Sequence, residues 1–180
     1  MSGNYITQNS LLLNNLLSFY KQNDNLKSIL PIINGESEIS LRLIDWFVTN
    51  YAKKNFTVYK KGSERFKVYI DYKLKLKAYS KKRFDPFCRW DRINIPYGED
   101  TYIQTTIGQL NFFRWALEND IIKYIKENMK QIVNDMNKRN STSKNRKDSK
   151  KKTRKRREEL SICASKSIKK EKVEIVVNFD

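Results

Sequence analysis

Twelve of the twenty residues at positions 138–157 are lysine or arginine: Lys138, Arg139, Lys144, Arg146, Lys147, Lys150, Lys151, Lys152, Arg154, Lys155, Arg156 and Arg157. Asp148 alone opposes them, so twelve cations against one acid leave +11 of the chain's formal +17 in this window. Charge of one sign at this density cannot be neutralised within a small domain and must face water or meet a polyanion. Nucleic acid is the polyanion that fits. Each phosphate met by Lys or Arg releases condensed counterion, with a slope of about 0.9 in log K against log salt per contact. Six to eight contacts therefore imply steeply salt-dependent, sequence-independent binding, roughly micromolar or weaker at physiological salt. The stretch at 150–157 also satisfies a nuclear-import pattern.

A second set of candidates lies upstream. Phe66, Val68, Ile70, Tyr72, Leu74, Leu76 and Ala78 alternate with Lys67, Tyr69, Asp71, Lys73, Lys75, Lys77 and Tyr79. That period of two predicts a strand whose wet face is basic, with Lys67, Lys73, Lys75 and Lys77 assisting phosphate contact. Phe84, Phe87 and Trp90 follow among cations, as in proteins that stack bases on rings, although anchoring an irregular loop to the core is the commoner use of such side chains. Asp71-Tyr72-Lys73 matches the D/E-x-K element of metal-dependent nucleases if 71 and 73 share a strand face and Asp45 or Glu64 supplies a second carboxylate. A three-residue match recurs by chance in lysine-rich sequence, so the nuclease stays a minor alternative.

The remaining chemistry is mostly exclusion. The chain has no histidine, which removes Ser-His and Cys-His nucleophile pairs, imidazole metal sites and the usual base near neutral pH. No Walker-type loop, GxGxxG or GxSxG occurs. Cys88 and Cys163 lack metal-ligand spacing and read as plain thiols. The expectation is a protein that is not an enzyme and uses no cofactor, metal or small-molecule substrate. No stretch approaches the roughly 20 apolar residues of a membrane span, and the apolar run at 11–17 is broken by Asn14 and Asn15, so neither a membrane nor a secretory signal is expected. Lysine, asparagine and isoleucine share A/T-rich codons, so scattered lysines carry little weight. The cluster carries more, because codon bias spreads lysine along a chain.

The positioning elements follow from periodicity. Leu12, Leu13, Leu16, Leu17 and Tyr20 predict a helix over 10–21 with Ser10 as N-cap, and residues 29–35 read as an extended apolar connector around Pro31. A core helix is expected over 40–53. A hairpin follows, with strand residues 56–59, a turn at 60–63 and the long alternating strand. Residues 79–97 read as a loop with a short strand near 93–95. Thr106 with Gln109 forms a capping box for a helix through Ile107, Leu110, Phe113, Trp115 and Leu117. Gly108 in its first turn fits an anion held by the free amides there, although a close contact with the sheet is the commoner reason for such a glycine. Asn119-Asp120 ends that helix and caps another, which continues to about 137.

Residues 140–143 open a polar linker into the basic run, and Val173, Ile175 and Val177 suggest a final strand. The expected organisation is a folded α+β body over 1–137, a disordered basic segment over 138–159, and C-terminal strands over 160–180 returning to the body. The body is a small antiparallel sheet, made of the long hairpin and the C-terminal strand, packed with three to four helices.

Three segments carry a resemblance: SLRLIDWFVTNY at 40–51, LKAYSKKRFDPFC at 76–88 and TIGQLNFFRWA at 106–116. They resemble an uncharacterised family of the nucleocytoplasmic large DNA viruses, the mimivirus and marseillevirus relatives, over about 40–136 and the final strand. The resemblance implies no activity, cofactor or site residue. It implies a context, a viral protein in the host nucleus, in a cytoplasmic viral factory or inside the virion, with viral DNA or RNA as partner. In the alternative reading the chain is a structural or assembly protein that binds other viral proteins, and the basic run serves import or an acidic partner.

Overall fold

Thr7, rather than Ser10, starts the first helix. Its hydroxyl accepts from the Ser10 amide at 3.2 Å, and α1 runs Gln8–Lys21, burying Leu16 and Tyr20. The computed structural model describes residues 7–22, 24–98 and 101–148, with side chains described as far as Asn140. The residues predicted to form C-terminal strands, 160–180, lie outside the described residues.

Residues 29–35 are not an extended connector: Asn25–Ile33 is a helix, α2, with Pro31 inside it. Ile29, Ile32 and Ile33 fall at helical spacing and are buried, which outweighs the missing proline amide. The proline lies near the helix end, where its carbonyl accepts from the amides of Glu36 and Ser37 at 2.8 and 3.0 Å. The Ser40 hydroxyl then accepts from the Leu43 amide at 3.1 Å and caps α3, Leu41–Trp46, as expected. α3 continues through a π-helical turn, Phe47–Tyr51, into the short α4, Ala52–Lys54. This composite helix buries Leu43, Ile44, Phe47, Val48 and Ala52.

The hairpin exists but is short. β1, Val58–Lys61, pairs antiparallel with β2, Glu64–Lys67, across the turn at Gly62 and Ser63. The long alternating strand is overturned, because from Val68 the chain is helical, α5, Val68–Arg83. A period of two contains a period of four, which a helix satisfies equally well. Val68 and Tyr72 are buried, Tyr69, Leu76 and Tyr79 pack beside them, and Ile70 and Leu74 are left on the outside.

α5 bends at Ser80, whose φ of 61° and ψ of 168° belong to a region that glycine alone adopts without strain. Ser80→Gly is expected to raise unfolding stability by about 0.5–2 kcal/mol, the relieved strain less the entropy glycine loses. An unshifted denaturant midpoint would show that the bend stores nothing.

A second hairpin pairs β3, Ile93–Pro96, with β4, Tyr102–Thr105, so the described sheets are two separate two-stranded ribbons. The Thr106 hydroxyl accepts from the Gln109 amide at 3.1 Å and starts α6, Ile107–Glu118. Eight of its twelve residues are buried, which makes α6 the centre of the body. Tyr20 donates its hydroxyl to the Leu110 carbonyl at 2.6 Å, tying α1 to it. Asn119 and Asp120 end α6 and open α7, Ile121–Glu127, as the sequence predicts. α8 follows as Met129–Asp148. The polar linker expected at 140–143 is instead helix. Its residues are neutral in helical propensity rather than prohibitive, and no proline or glycine interrupts them. The class is α+β.

Candidate nucleic-acid interface

Residues 60–92, which form the first hairpin, α5 and the following loop, hold twelve Lys or Arg against four acids, Glu64, Asp71, Asp85 and Asp91. Two of the acids face inward. Asp71 accepts from the Trp115 indole at 2.5 Å, and Asp85 is buried with its Oδ2 3.2 Å from Arg89 Nε. The outer surface is therefore more basic than the sequence count suggests. Lys61 reaches the Asn119 side chain at 2.8 Å, while Lys67, Lys73, Lys75 and Lys77 have no ion pair among the described residues.

The four predicted lysines do not form one strand face. Lys67 ends β2 opposite Val58. Lys73 and Lys77 are exposed one turn apart on α5, and Lys75, two residues from each, is half-buried on another side of the helix. The same geometry removes the premise of the D-x-K reading: Asp71 and Lys73 diverge by about 200° on a helix, and Asp71 holds an indole in the core.

The basic run begins on α8, which carries Lys138, Arg139, Lys144, Arg146 and Lys147. Lys150, Lys151, Lys152, Arg154, Lys155, Arg156 and Arg157 lie outside the described residues. Arg139 is engaged with the body, its guanidinium 5.5 Å from the Trp46 ring centroid and its Nε 3.5 Å from Asp135. Asp135 also accepts from the Trp46 indole at 3.2 Å and pairs with Lys54 at 3.4 Å. One carboxylate thus pins α8 to α3 and α4.

The aromatic loop divides. Phe84 is 2% exposed and belongs to the core, while Phe87 is half-buried under the Arg89 guanidinium, 5.0 Å from its centroid. Trp90 is 44% exposed, with its indole donating to the Lys81 carbonyl at 3.0 Å. Of the three rings it alone presents a broad surface beside cations.

Two of the three segments that carry the viral resemblance, 76–88 and 106–116, meet at the start of α6. Gly108 lies so close to the turn before it that a Cβ would stand 3.0 Å from the Lys82 carbonyl oxygen, and the Asp85 amide donates to the Gly108 carbonyl at 3.1 Å. The close contact is therefore with the end of α5 and not with a sheet. Gln109, expected as a capping-box partner, receives the Thr106 cap on its amide but turns its side chain elsewhere. Its buried side chain accepts from Thr105 Oγ1 and Cys88 Sγ at 2.8 Å each and donates to the Pro86 carbonyl at 2.9 Å. Nothing in the local pattern distinguishes this buried bridge from an ordinary cap, so sequence reasoning missed it.

Beside this junction Asp45 and Asp85 interact across the join of the first two segments. Burial raises both carboxyl pKa values above the ordinary range, the neighbouring Asp85 charge raises Asp45 further, and Arg89 and Lys81 offset part of the effect. The Asp85 Oδ1 accepts from the Phe87 amide at 3.1 Å, but Oδ2 has no hydrogen-bonding partner among the described residues and is compensated by the Arg89 charge at 3.2 Å and by the Lys81 charge. An acid raised in the folded state binds protons more tightly there than in the unfolded chain, so this contribution is full below the ordinary value of 3.8 and declines as pH rises through the raised ones. Asp45→Asn is therefore expected to flatten that decline above about pH 4 and to stabilise the protein at neutral pH. Denaturant midpoints across pH for both chains test this, and parallel curves would refute it.

A curated relative, "Uncharacterized protein L507" of Acanthamoeba polyphaga mimivirus, is 46% identical over 128 residues, which cover 66% of this chain and 49% of the relative. The matched part is thus about half the length of that relative. The large-DNA-virus kinship implied by the three segments is borne out. No solved structure matches the chain significantly. The model of the family of unknown function DUF7197 matches residues 5–180, and the chain belongs to that family.

Proposed function

We propose that the protein is a non-enzymatic, sequence-independent binder of viral DNA or RNA. It holds phosphates through the cationic run at 138–157, assisted by Lys67, Lys73 and Lys77 on the hairpin and α5. The observation that carries this reading is charge density: +11 within twenty residues, from twelve cations and one acid. Arg139 is paired with Asp135, but no stretch of the sequence carries a negative surplus of comparable size, and residues 60–92 are themselves basic. Such a protein acts wherever viral nucleic acid accumulates, in the host nucleus, a viral factory or the particle.

The reading is tested by titrating the full chain with a mixed-sequence duplex and a single strand of equal length at increasing salt. The expected result is binding to both, with log K falling on log salt with a slope of magnitude about 5 or more on the duplex. An absence of binding at about 20 mM salt overturns the proposal and leaves assembly with other proteins in its place.

A further inference from the structure

The helical fold of α5 leaves a debt that the sequence pattern hid. Its apolar residues divide into two sets, one facing the core through Val68 and Tyr72, the other turned outward with Ile70 at 53% and Leu74 at 59% exposure. The outward set lines an open groove of 460 Å³ with Tyr69, Lys73, Leu76 and Lys77, and it borders a second groove shared with Lys61, Arg65 and Lys67 of the hairpin. Apolar in its floor and cationic along its rims, this surface suits an extended segment that alternates apolar side chains with acids.

The chain itself contains one such segment. Val173, Ile175, Val177 and Phe179 recur at every second position, and Glu171, Glu174 and Asp180 outnumber Lys172 among residues 171–180. Residues 158–164 also alternate, with Leu160, Ile162 and Ala164 behind Glu158 and Glu159, but over three positions instead of four and directly after the cationic run. Reach is ample, since the 25 residues from Asp148 to Val173 span up to about 80 Å, twice the width of a domain this size. The family match also runs to residue 180, so the groove and the segment both lie within the matched stretch.

We propose that residues 173–179 dock in the Ile70/Leu74 groove of α5, with Glu171, Glu174 and Asp180 set against Lys67, Lys73 and Lys77. The alternating side chains cover Ile70 and Leu74, and the acids meet the lysines that lack ion pairs among the described residues. Docked, the tail holds the three lysines that otherwise assist phosphate binding, so it competes with nucleic acid for them and leaves the run at 138–157 untouched; the docking is therefore measured without nucleic acid.

The test uses the full chain with Cys88→Ser and Cys163→Ser. In that background Leu74→Cys with Ile175→Cys is compared with Lys123→Cys with Ile175→Cys, which places the first cysteine on the exposed side of α7. Docking predicts a disulfide within one chain that forms at least about tenfold faster for the Leu74 pair, because both pairs share the same tether and differ only in the preferred position of the tail. Equal rates overturn the proposal, and so do disulfides mainly between chains, which would give the groove to a second copy. A second measurement needs no cysteine. In the full chain carrying Val173→Asp, Ile175→Asp and Val177→Asp, backbone amides at 70–76 are expected to exchange at least about tenfold faster than in the unaltered chain, and unchanged exchange overturns the docking.

Discussion

Replacing Lys150, Lys151, Lys152, Arg154, Lys155, Arg156 and Arg157 with alanine together is expected to weaken duplex binding by about a thousandfold or more at 50 mM salt. Each phosphate neutralised contributes a slope of about 0.9, and 50 mM lies about 1.3 decades below 1 M, so one such phosphate is worth about 1.2 decades of affinity there. Three phosphates met by the seven cations already explain the effect. The diagnostic quantity is the slope, which should drop by about 1 for each phosphate no longer neutralised, with little change in binding extrapolated to 1 M salt. Anisotropy titrations of both chains at four or five salt concentrations measure this. A weakened affinity with an unchanged slope would mean that the substitutions had damaged something other than the grip on phosphate. An unchanged affinity would move the interface to the hairpin and α5.

Phe84→Ala should cost about 3–5 kcal/mol of unfolding free energy, a large share of the 5–15 kcal/mol typical of a whole domain. The ring is 2% exposed and sits among Phe112, Trp115, Tyr72 and Tyr79 at centroid separations of 5.4, 5.6, 5.9 and 6.2 Å. Its removal opens a cavity where the end of α5, the loop after it and α6 converge. The neighbouring backbone is pinned by the Asp85–Gly108 hydrogen bond and by Asn111 donating to the Arg83 carbonyl at 2.9 Å, so the site has little freedom to collapse. Equilibrium denaturation should show a lower midpoint at an unchanged slope. A loss below about 1 kcal/mol would place Phe84 outside the core and return it to the ring-stacking role.

Where a residue's local chemistry decides its conformation, the structure could be read from the chain in advance. Ser40 and Thr106 cap helices because their hydroxyls reach amides three residues on, and Gly62 turns the hairpin with a φ of 60°. Where tertiary burial decides, it could not. Alternation over 66–78 fits a strand and a two-faced helix equally, and only the burial of Val68 and the docking of Tyr72 against α6 select the helix. Pro31 argued for a break, yet three isoleucines at helical spacing held α2 together.

The candidate site divides along the same line. Charge density is a property of composition and is legible anywhere. The grouping of Lys67, Lys73, Lys75 and Lys77 on one face rested on the strand and went with it. Gln109 and Asp135 gather partners from elements far apart in sequence, which no local spacing announces.

α8 is a single helix whose early turns are clamped to the body through Asp135 and whose later turns carry cations. A stiff rod fixed at one end has no swivel. A rigid polymer gripped along the far part of that rod inherits the body's heading, so successive copies on one filament would all lean the same way, and a disordered tail of equal charge would impose no such alignment.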